Sequence, residues 1–264
     1  MTPDDVIDAL CLPMACALDI RVPKTQLQAH SDFGTPDRRL LQDGIDTLRW
    51  VAAVRPDAVG VPARAAQDGS LRVPELQVMV LRARTGTSLT RLEELLHRVV
   101  PYPVLLVSEQ ESGPRVSVAL KRTSHARNDH VVLDGPPVSA SPGDVPGTIG
   151  AGFLSALRFD RQPSRDLRAV YEGWLACVAA LRVAAVTGEF APAGAVEAAQ
   201  AQLVALAESS RLEAEINKLL VQIKGEKQLS RRIELQERIK AKRADLSATH
   251  GVLRTAQPRR EHEK

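Results

Sequence analysis

Residues 101–124, PYPVLLVSEQESGPRVSVALKRTS, decide the fold. Residues 104–107 are apolar without interruption, which predicts a central strand covered on both faces. Ser112, Gly113 and Pro114 supply a turn. The returning stretch alternates: Val116, Val118 and Leu120 face one way, and Ser117, Ala119 and Lys121 face the other. The pattern predicts a β-hairpin inside a sheet.

The hairpin ends in Lys121 and Arg122, and two interpretations of this pair stay open. A strand that leaves the core carries charged residues at its solvated rim, which explains the pair without any function. Alternatively, the small neighbours Ser117 and Ala119 leave room for a ligand. Lys121 and Arg122 are then candidates for binding nucleic acid or a partner protein.

The elements around the hairpin complete the predicted fold class. Residues 37–55 carry apolar side chains at helical spacing and predict one helix, which Pro56 ends. Residues 73–85 predict a strand, residues 89–100 an amphipathic helix, and residues 129–135 another strand. The class is α+β: a small mixed, mostly antiparallel sheet with packed helices and one crossover, followed by an all-helical C-terminal part.

Composition divides the chain into five segments. They are an α/β domain (1–135), a Pro/Gly/Ser-rich linker or surface loop (136–148), a helical segment (149–190), a helical hairpin or coiled coil (191–250) and a disordered tail (251–264). The boundaries rest on the Pro and Gly clusters and on the point where helical periodicity begins.

Residues 195–248 have helical periodicity throughout, but their apolar stripe changes phase at Gly225. At about 100° per residue, the first half gathers its apolar residues in one narrow sector, and the second half places them outside it. The two sets are Leu212, Ile216, Leu219 and Ile223, then Ile233, Leu235, Ile239 and Leu246. An antiparallel hairpin turning near residues 224–226 would bury both stripes. A stutter in a straight coiled coil is the alternative.

The same segment carries the basic charge of the chain. Residues 211–264 hold 14 Lys/Arg against 8 Asp/Glu, whereas the whole chain has a net charge of only +3. Five of these cations fall within one sector of the helical wheel: Lys224, Lys227, Arg231, Arg238 and Lys242. Such a stripe could follow a phosphate backbone or an acidic protein surface. A solvated face with pairs such as Glu234–Arg238 is the simpler interpretation.

Composition also sets the expected compartment. Three cysteines in no metal-like spacing, with an acidic N-terminus unlike a signal peptide, predict a cytoplasmic protein. The sequence contains no uninterrupted run of about 18 apolar residues, so no membrane span is predicted. Aromatic residues make up 3% of the chain, so platforms for base stacking are not expected.

Motifs for catalysis are scarce. The chain has no GxxxxGK(S/T) phosphate loop, no GxSxG elbow and no His or Cys spacing typical of a metal site, so no cofactor is expected. The one enzyme class that the residues suggest is a metal-dependent nuclease built from Glu75, Glu109, Glu111 and Lys121. Ala119 stands where such a site needs an acid two residues before its lysine, which weakens this interpretation.

Three stretches carry a family resemblance. They are PYPVLLVSE with VSVALKRTS, then VYEGWLACVAALRVAAVTGEF, then GEKQLSRRIELQERIKAKRADL. In this order, over about residues 37–246, the chain resembles a bacterial family defined by a domain of unknown function, number forty-three ninety-one. The resemblance implies genes for a Swi/Snf-type helicase and a DNA methyltransferase nearby, in restriction-modification or phage-defence loci. It transfers no catalytic residue.

We therefore expect a non-enzymatic accessory or adaptor subunit of a DNA-modifying or phage-defence assembly. The expected partners are the helicase and methyltransferase subunits, with DNA as a further contact and no membrane. Two alternatives stay open: an independent nucleic-acid-binding protein that uses the basic C-terminal helix, and a divergent metal-dependent nuclease.

Overall fold

A computed structural model describes residues 1–29, 33–65, 71–110, 113–124, 131–226 and 228–255. In chain order its helices and strands are α1 (Pro3–Ala9), β1 (Ala17–Arg21), α2 (Lys24–Ala29), α3 (Thr35–Gly44), β2 (Ile45–Val54), α4 (Pro56–Val59), β3 (Leu76–Ala83), α5 (Leu89–Val99), β4 (Val104–Gln110), β5 (Gly113–Val118), β6 (Lys121–Thr123), β7 (Val131–Leu133), β8 (Val138–Ala140), α6 (Gly147–Leu157), α7 (Leu167–Thr187), α8 (Val196–Gly225) and α9 (Leu229–Thr255).

Six strands form one sheet in the order β1-β2-β3-β4-β5-β8. Every neighbouring pair is antiparallel except β3 and β4. These two are parallel because α5 connects them as a crossover. β6 and β7 pair separately. The predicted class, a mixed and mostly antiparallel sheet with packed helices, is confirmed.

Helices cover both faces of this sheet. On one face α3 and α5 contribute Leu41, Leu92, Leu95 and Leu96 to a core with Leu81 and Leu106. On the other face α6 and α7 contribute Phe153, Leu157, Tyr171, Trp174 and Val178 to a core with Val78 and Leu105. Strand β4 supplies both cores, Val104 and Leu106 to the first and Leu105 and Val107 to the second. Because alternate residues of β4 face opposite cores, neither face of the strand meets solvent there, and residues 104–107 are therefore all apolar.

The prediction of one helix over residues 37–55 was wrong. Helix α3 ends at Gly44, and β2 follows directly. Two irregularities in the β2–β3 register, between Ile45 and Thr47 and between Trp50 and Ala52, explain the error. An extra residue in a strand breaks its two-residue alternation. The buried positions Ile45, Leu48 and Ala52 therefore recur at intervals of three and four, as they would in a helix.

The stretch 136–148, which the sequence predicts as a linker or loop, contains β8. This strand forms the edge of the main sheet beside β5, with Val116 opposite Ala140. Helix α7 packs across the same region. The Tyr171 hydroxyl accepts from the Ala119 N–H at 2.8 Å and donates to the Val104 carbonyl at 2.8 Å. Both segments therefore belong to the same folded body as the sheet.

Helix α7 is buried on nearly all sides. Within the described ranges it is the one helix that is long and apolar enough, by length and composition, to cross a membrane. Its most apolar window is 72% buried inside the protein. Packing between the sheet and α8 therefore accounts for its apolar composition.

Helices α8 and α9 form an antiparallel hairpin that reverses between Gly225 and Leu229. Ser209 Oγ lies 2.8 Å from His250 Nε2, and Lys242 Nζ lies 3.0 Å from a Glu215 carboxylate oxygen. The later residue in α8, Glu215, thus pairs with the earlier residue in α9, Lys242, so the two helices are antiparallel, as in a helical bundle. The hairpin, rather than the straight coiled coil with a stutter, is the correct alternative.

Candidate functional site

The hairpin of α8 and α9 is rooted on the body and extends away from it. At the root, Leu206 and Leu253 pack with Val183 of α7. Further out, Ile216, Leu219 and Ile239 form a second cluster made of α8 and α9 residues alone. From Ser209 to the end of α8 at Gly225, the helix rises about 24 Å at 1.5 Å per residue. The two helices therefore present a long surface beyond the sheet.

Two large apolar residues near the turn lie on one side of α9. Leu229 is 71% exposed and Ile233 is 52% exposed. We call this pair the tip patch. Residues four apart on a helix are neighbours, so the two side chains form one apolar surface. The sequence places Ile233 in the stripe that packs on α8, and the structure corrects this, because the seam uses Leu235, Ile239 and Leu246.

A groove continues from the tip patch along α9. Its lining consists of Ile233, Gln236, Glu237, Ile239, Lys240 and Arg243. The groove thus has an apolar end at Ile233, one carboxylate at Glu237, and two cations beyond it. A partner that fills it would need apolar side chains opposite Ile233 and acidic ones opposite Lys240 and Arg243.

The predicted basic stripe is divided by the fold. Lys242 pairs with Glu215 across the hairpin seam, and Arg231 lies 4.0 Å from Glu226 at the turn. Lys224 and Arg238 are exposed. Within the described ranges Arg238 makes no ion pair, so the expected Glu234–Arg238 pair does not form. Lys227 lies outside the described residues.

Lys121, the other predicted cation, lies inside the protein. Its side chain is 7% exposed, and its ammonium donates to the carbonyl oxygens of Val100 and Tyr102, the latter at 2.6 Å. These carbonyls follow the end of α5, so the lysine completes that helix terminus. Arg122 is half exposed and lies 3.7 Å from Asp134. The fold therefore separates the neighbours, one directed inward and one at the rim.

A buried polar network that sequence reasoning missed lies on the α5 side of β4 and β5, and its His97 interacts with the charge of Lys121. His97 Nε2 on α5 lies 2.9 Å from the Ser117 hydroxyl, and the Ser108 hydroxyl donates to Glu93 at 2.9 Å. Burial, and then the charge of Lys121, lower the pKa of His97 to about 3, so the ring is neutral. Burial alone lowers the pKa of Lys121 to about 7.

Glu93 in this network is neutralised by a cation. Arg115 Nε lies 3.2 Å from its carboxylate. Burial raises the pKa of Glu93, and the Arg115 charge and the Ser108 hydrogen bond oppose that rise. The signal that could have revealed the network is the alternation of β5, whose second face carries the buried Ser117 and, two residues before it, Arg115, which contacts Glu93.

The acids proposed for a nuclease are not brought together. Glu75 precedes β3 and pairs with Arg55 at 2.8 Å, whereas Glu109 lies near the end of β4 and pairs with Arg82 at 2.6 Å. Because β3 and β4 are parallel neighbours, these acids lie at opposite ends of the two strands. Glu111 lies outside the described residues. No group of three or more His, Cys, Asp or Glu suited to a metal ion occurs in the described part of the chain.

Comparison with protein families places the chain. A family model described as "Domain of unknown function (DUF4391)" matches residues 10–246. No curated protein and no solved structure matches the chain. The match runs from the end of α1, through the sheet and α7, into α9, and so includes the tip patch. The chain belongs to the DUF4391 family.

Proposed function

We propose that this protein is a non-enzymatic accessory or adaptor subunit of a DNA-modifying or phage-defence assembly in the cytoplasm. The α8–α9 hairpin docks on a partner protein, and the sheet with its helices is the body that the partner carries or positions. The partner class, a helicase or DNA-methyltransferase subunit, rests on the family resemblance.

The observation that carries the proposal is the tip patch on a hairpin that extends from the body. Leu229 and Ile233 expose more than half of their surface at a position where no described element covers them. Exposed apolar residues that form one surface mark interaction sites more often than isolated ones do. The groove beside them, with Lys240 and Arg243, supplies polar contacts that would fix the register of a docked helix.

A pull-down with a matched control tests this proposal. The full chain is tagged and mixed with a purified helicase or DNA methyltransferase of the class that the family resemblance implies. Leu229→Asp with Ile233→Asp should weaken capture by about tenfold or more, because covering each side chain is worth about 1.5–3 kcal/mol. Val204→Asp, at an exposed position near the hairpin root, should leave capture unchanged. Equal capture by all three proteins would refute docking at the tip patch.

A second candidate function is nucleic-acid binding by the hairpin. Arg238 supports it, since this exposed side chain makes no ion pair with any described residue, together with the exposed Lys224 and Lys240. Each neutralised phosphate adds close to one unit to the slope of log affinity against log salt. Arg231→Glu with Arg238→Glu should weaken binding to a DNA duplex and reduce that slope by about 2. Arg39→Glu, exposed on α3, is the control. Unchanged binding by the double variant would remove the hairpin from this role.

A further inference from the structure

Strand β1 is an edge strand of the main sheet, and among the described residues no other strand pairs with its free side. It pairs with β2 on one side and begins the strand order on the other. The Val22 N–H donates to the Leu48 carbonyl at 2.8 Å, toward β2. Main-chain groups alternate in direction along a regular strand, so those of Arg21 point away from β2, whereas Asp19 lies in the register irregularity between Ala17 and Ile20. An outward row of donors and acceptors of this kind is a template for another strand.

The side chains of this edge are charged on one face. Arg21 stands directly opposite Arg49 of β2, and Asp19 contacts Arg49, so the side chains of Asp19 and Arg21 lie on the same face. Like charges directly opposite each other are unfavourable. Asp19 contacts Arg49 at 2.9 Å, but within the described ranges Arg21 makes no ion pair. The face therefore has one carboxylate for two guanidinium groups and lacks a partner for Arg21.

The other face of the edge is apolar. Ile20 lies opposite Trp50 and is 48% exposed. Val22, two residues further, packs against the core formed with α3 and α5, and so does Trp50. The register shift between β1 and β2 lies before Ile20, so the segment from Ile20 onward keeps regular pairing. A strand added beside β1 would extend this apolar face over Ile20.

We propose that a second copy of this chain pairs with β1 through its own β1, antiparallel, about a two-fold axis at Ile20. In that register Asp19 lies opposite Arg21 of the second copy, and Arg21 opposite the second Asp19. Arg21 of each copy then gains a carboxylate partner from the other copy, and the two Ile20 side chains cover each other. A two-fold contact requires such self-complementarity, which an arbitrary peptide would not supply. The inference is independent of the hairpin and its proposed partner.

The dimer has a definite geometric consequence. The two sheets join into one continuous sheet across the axis, and each copy keeps its own hairpin at its α7 side. The hairpins are then available in pairs. Because few residues form the contact, we expect association in the micromolar to millimolar range, about the weak end for protein interfaces.

Sedimentation equilibrium of the full chain, from about 1 μM to about 1 mM, tests the proposal with three proteins. The average mass of the wild type should rise toward that of a dimer. Arg21→Asp should remain monomeric, since it places Asp opposite Asp between copies, whereas within one copy it places a carboxylate opposite Arg49 and so favours the fold. Asp19→Arg with Arg21→Asp restores opposite charges in both contexts and should associate like the wild type.

Each other result overturns the proposal. A wild type that stays monomeric throughout shows that the edge does not pair. Association that Arg21→Asp leaves unchanged shows that the contact lies elsewhere, for example at the hairpin. A double variant that stays monomeric while folded, as circular dichroism would show, shows that the charge register is not the one proposed.

Discussion

The buried Lys121 makes the stability of this protein depend on pH in a way that its surface charges cannot. Burial lowers the pKa of its ammonium from an ordinary 10.5 to about 7. Between these values the unfolded chain binds a proton that the folded chain has released. The free energy of unfolding therefore rises with pH in that window, and the penalty for the buried charge is largest below it. Lys121→Met keeps the apolar stem and removes the titration.

The magnitude follows from the shift. One proton of difference changes stability by about 1.4 kcal/mol per pH unit. Between about pH 6 and about pH 9, the stability of the wild type should rise by about 2–3 kcal/mol relative to Lys121→Met. Urea unfolding of both proteins, followed by tryptophan fluorescence, gives this difference at each pH. The loss of the two hydrogen bonds to Val100 and Tyr102 adds an offset that does not vary with pH.

Titration of His97 does not contribute to the pH dependence of this stability difference. Burial is the larger cause of its low pKa and persists in Lys121→Met, so the folded ring stays neutral at every pH used, and its titration in the unfolded chain is common to both proteins. A difference between wild type and Lys121→Met that is constant from pH 6 to pH 9 would refute the reasoning. It would mean that the carbonyls at the end of α5 hold the ammonium charged inside the protein.

Three further substitutions and one control test the packing that positions the hairpin. Tyr171→Phe leaves the Ala119 N–H and the Val104 carbonyl unpaired, and urea unfolding should show a loss of about 2–4 kcal/mol. Ile239→Ala should cost about 2–3 kcal/mol and speed hydrogen exchange in the outer hairpin only, whereas Ile233→Ala, at an exposed position, should change little. Both side-chain amide atoms of Gln202 are buried and have no hydrogen-bond partner among the described residues. Gln202→Leu should therefore raise the free energy of unfolding by about 1 kcal/mol or more, and with it the melting temperature. A lower melting temperature would contradict this.

The sequence predicts those parts of the fold in which one local pattern dominates. The apolar run 104–107 identifies a strand covered on both faces, and the phase change at Gly225 identifies the hairpin turn. Both patterns reflect burial along a regular element, and burial is what apolar spacing reports. The same patterns mislead where an element is irregular, as in β2, where Ile45, Leu48 and Ala52 mimic a helix.

The candidate site is less predictable than the fold. Lys121 and Arg122 are adjacent and chemically alike, yet one is enclosed and one lies at the rim, because only the packing of α5 and β5 decides which of them meets the end of a helix. Leu229 and Ile233 cannot be told from seam residues by composition alone. Their exposure depends on the rotation of α9 against α8, which Leu235, Ile239 and Leu246 set together.

The two cores of the sheet close at different times during synthesis on the ribosome. The core beneath α3 and α5 draws on residues 27–106, so it is complete once β4 has emerged. The opposite core needs Phe153 of α6 and Trp174 of α7. Roughly 70 residues separate the end of β5 from the end of α7, which at 5–20 residues per second leaves one apolar face of the sheet uncovered for roughly 4–14 s. A nascent chain halted in that interval would present a half-covered sheet to chaperones, with its hairpin still unmade.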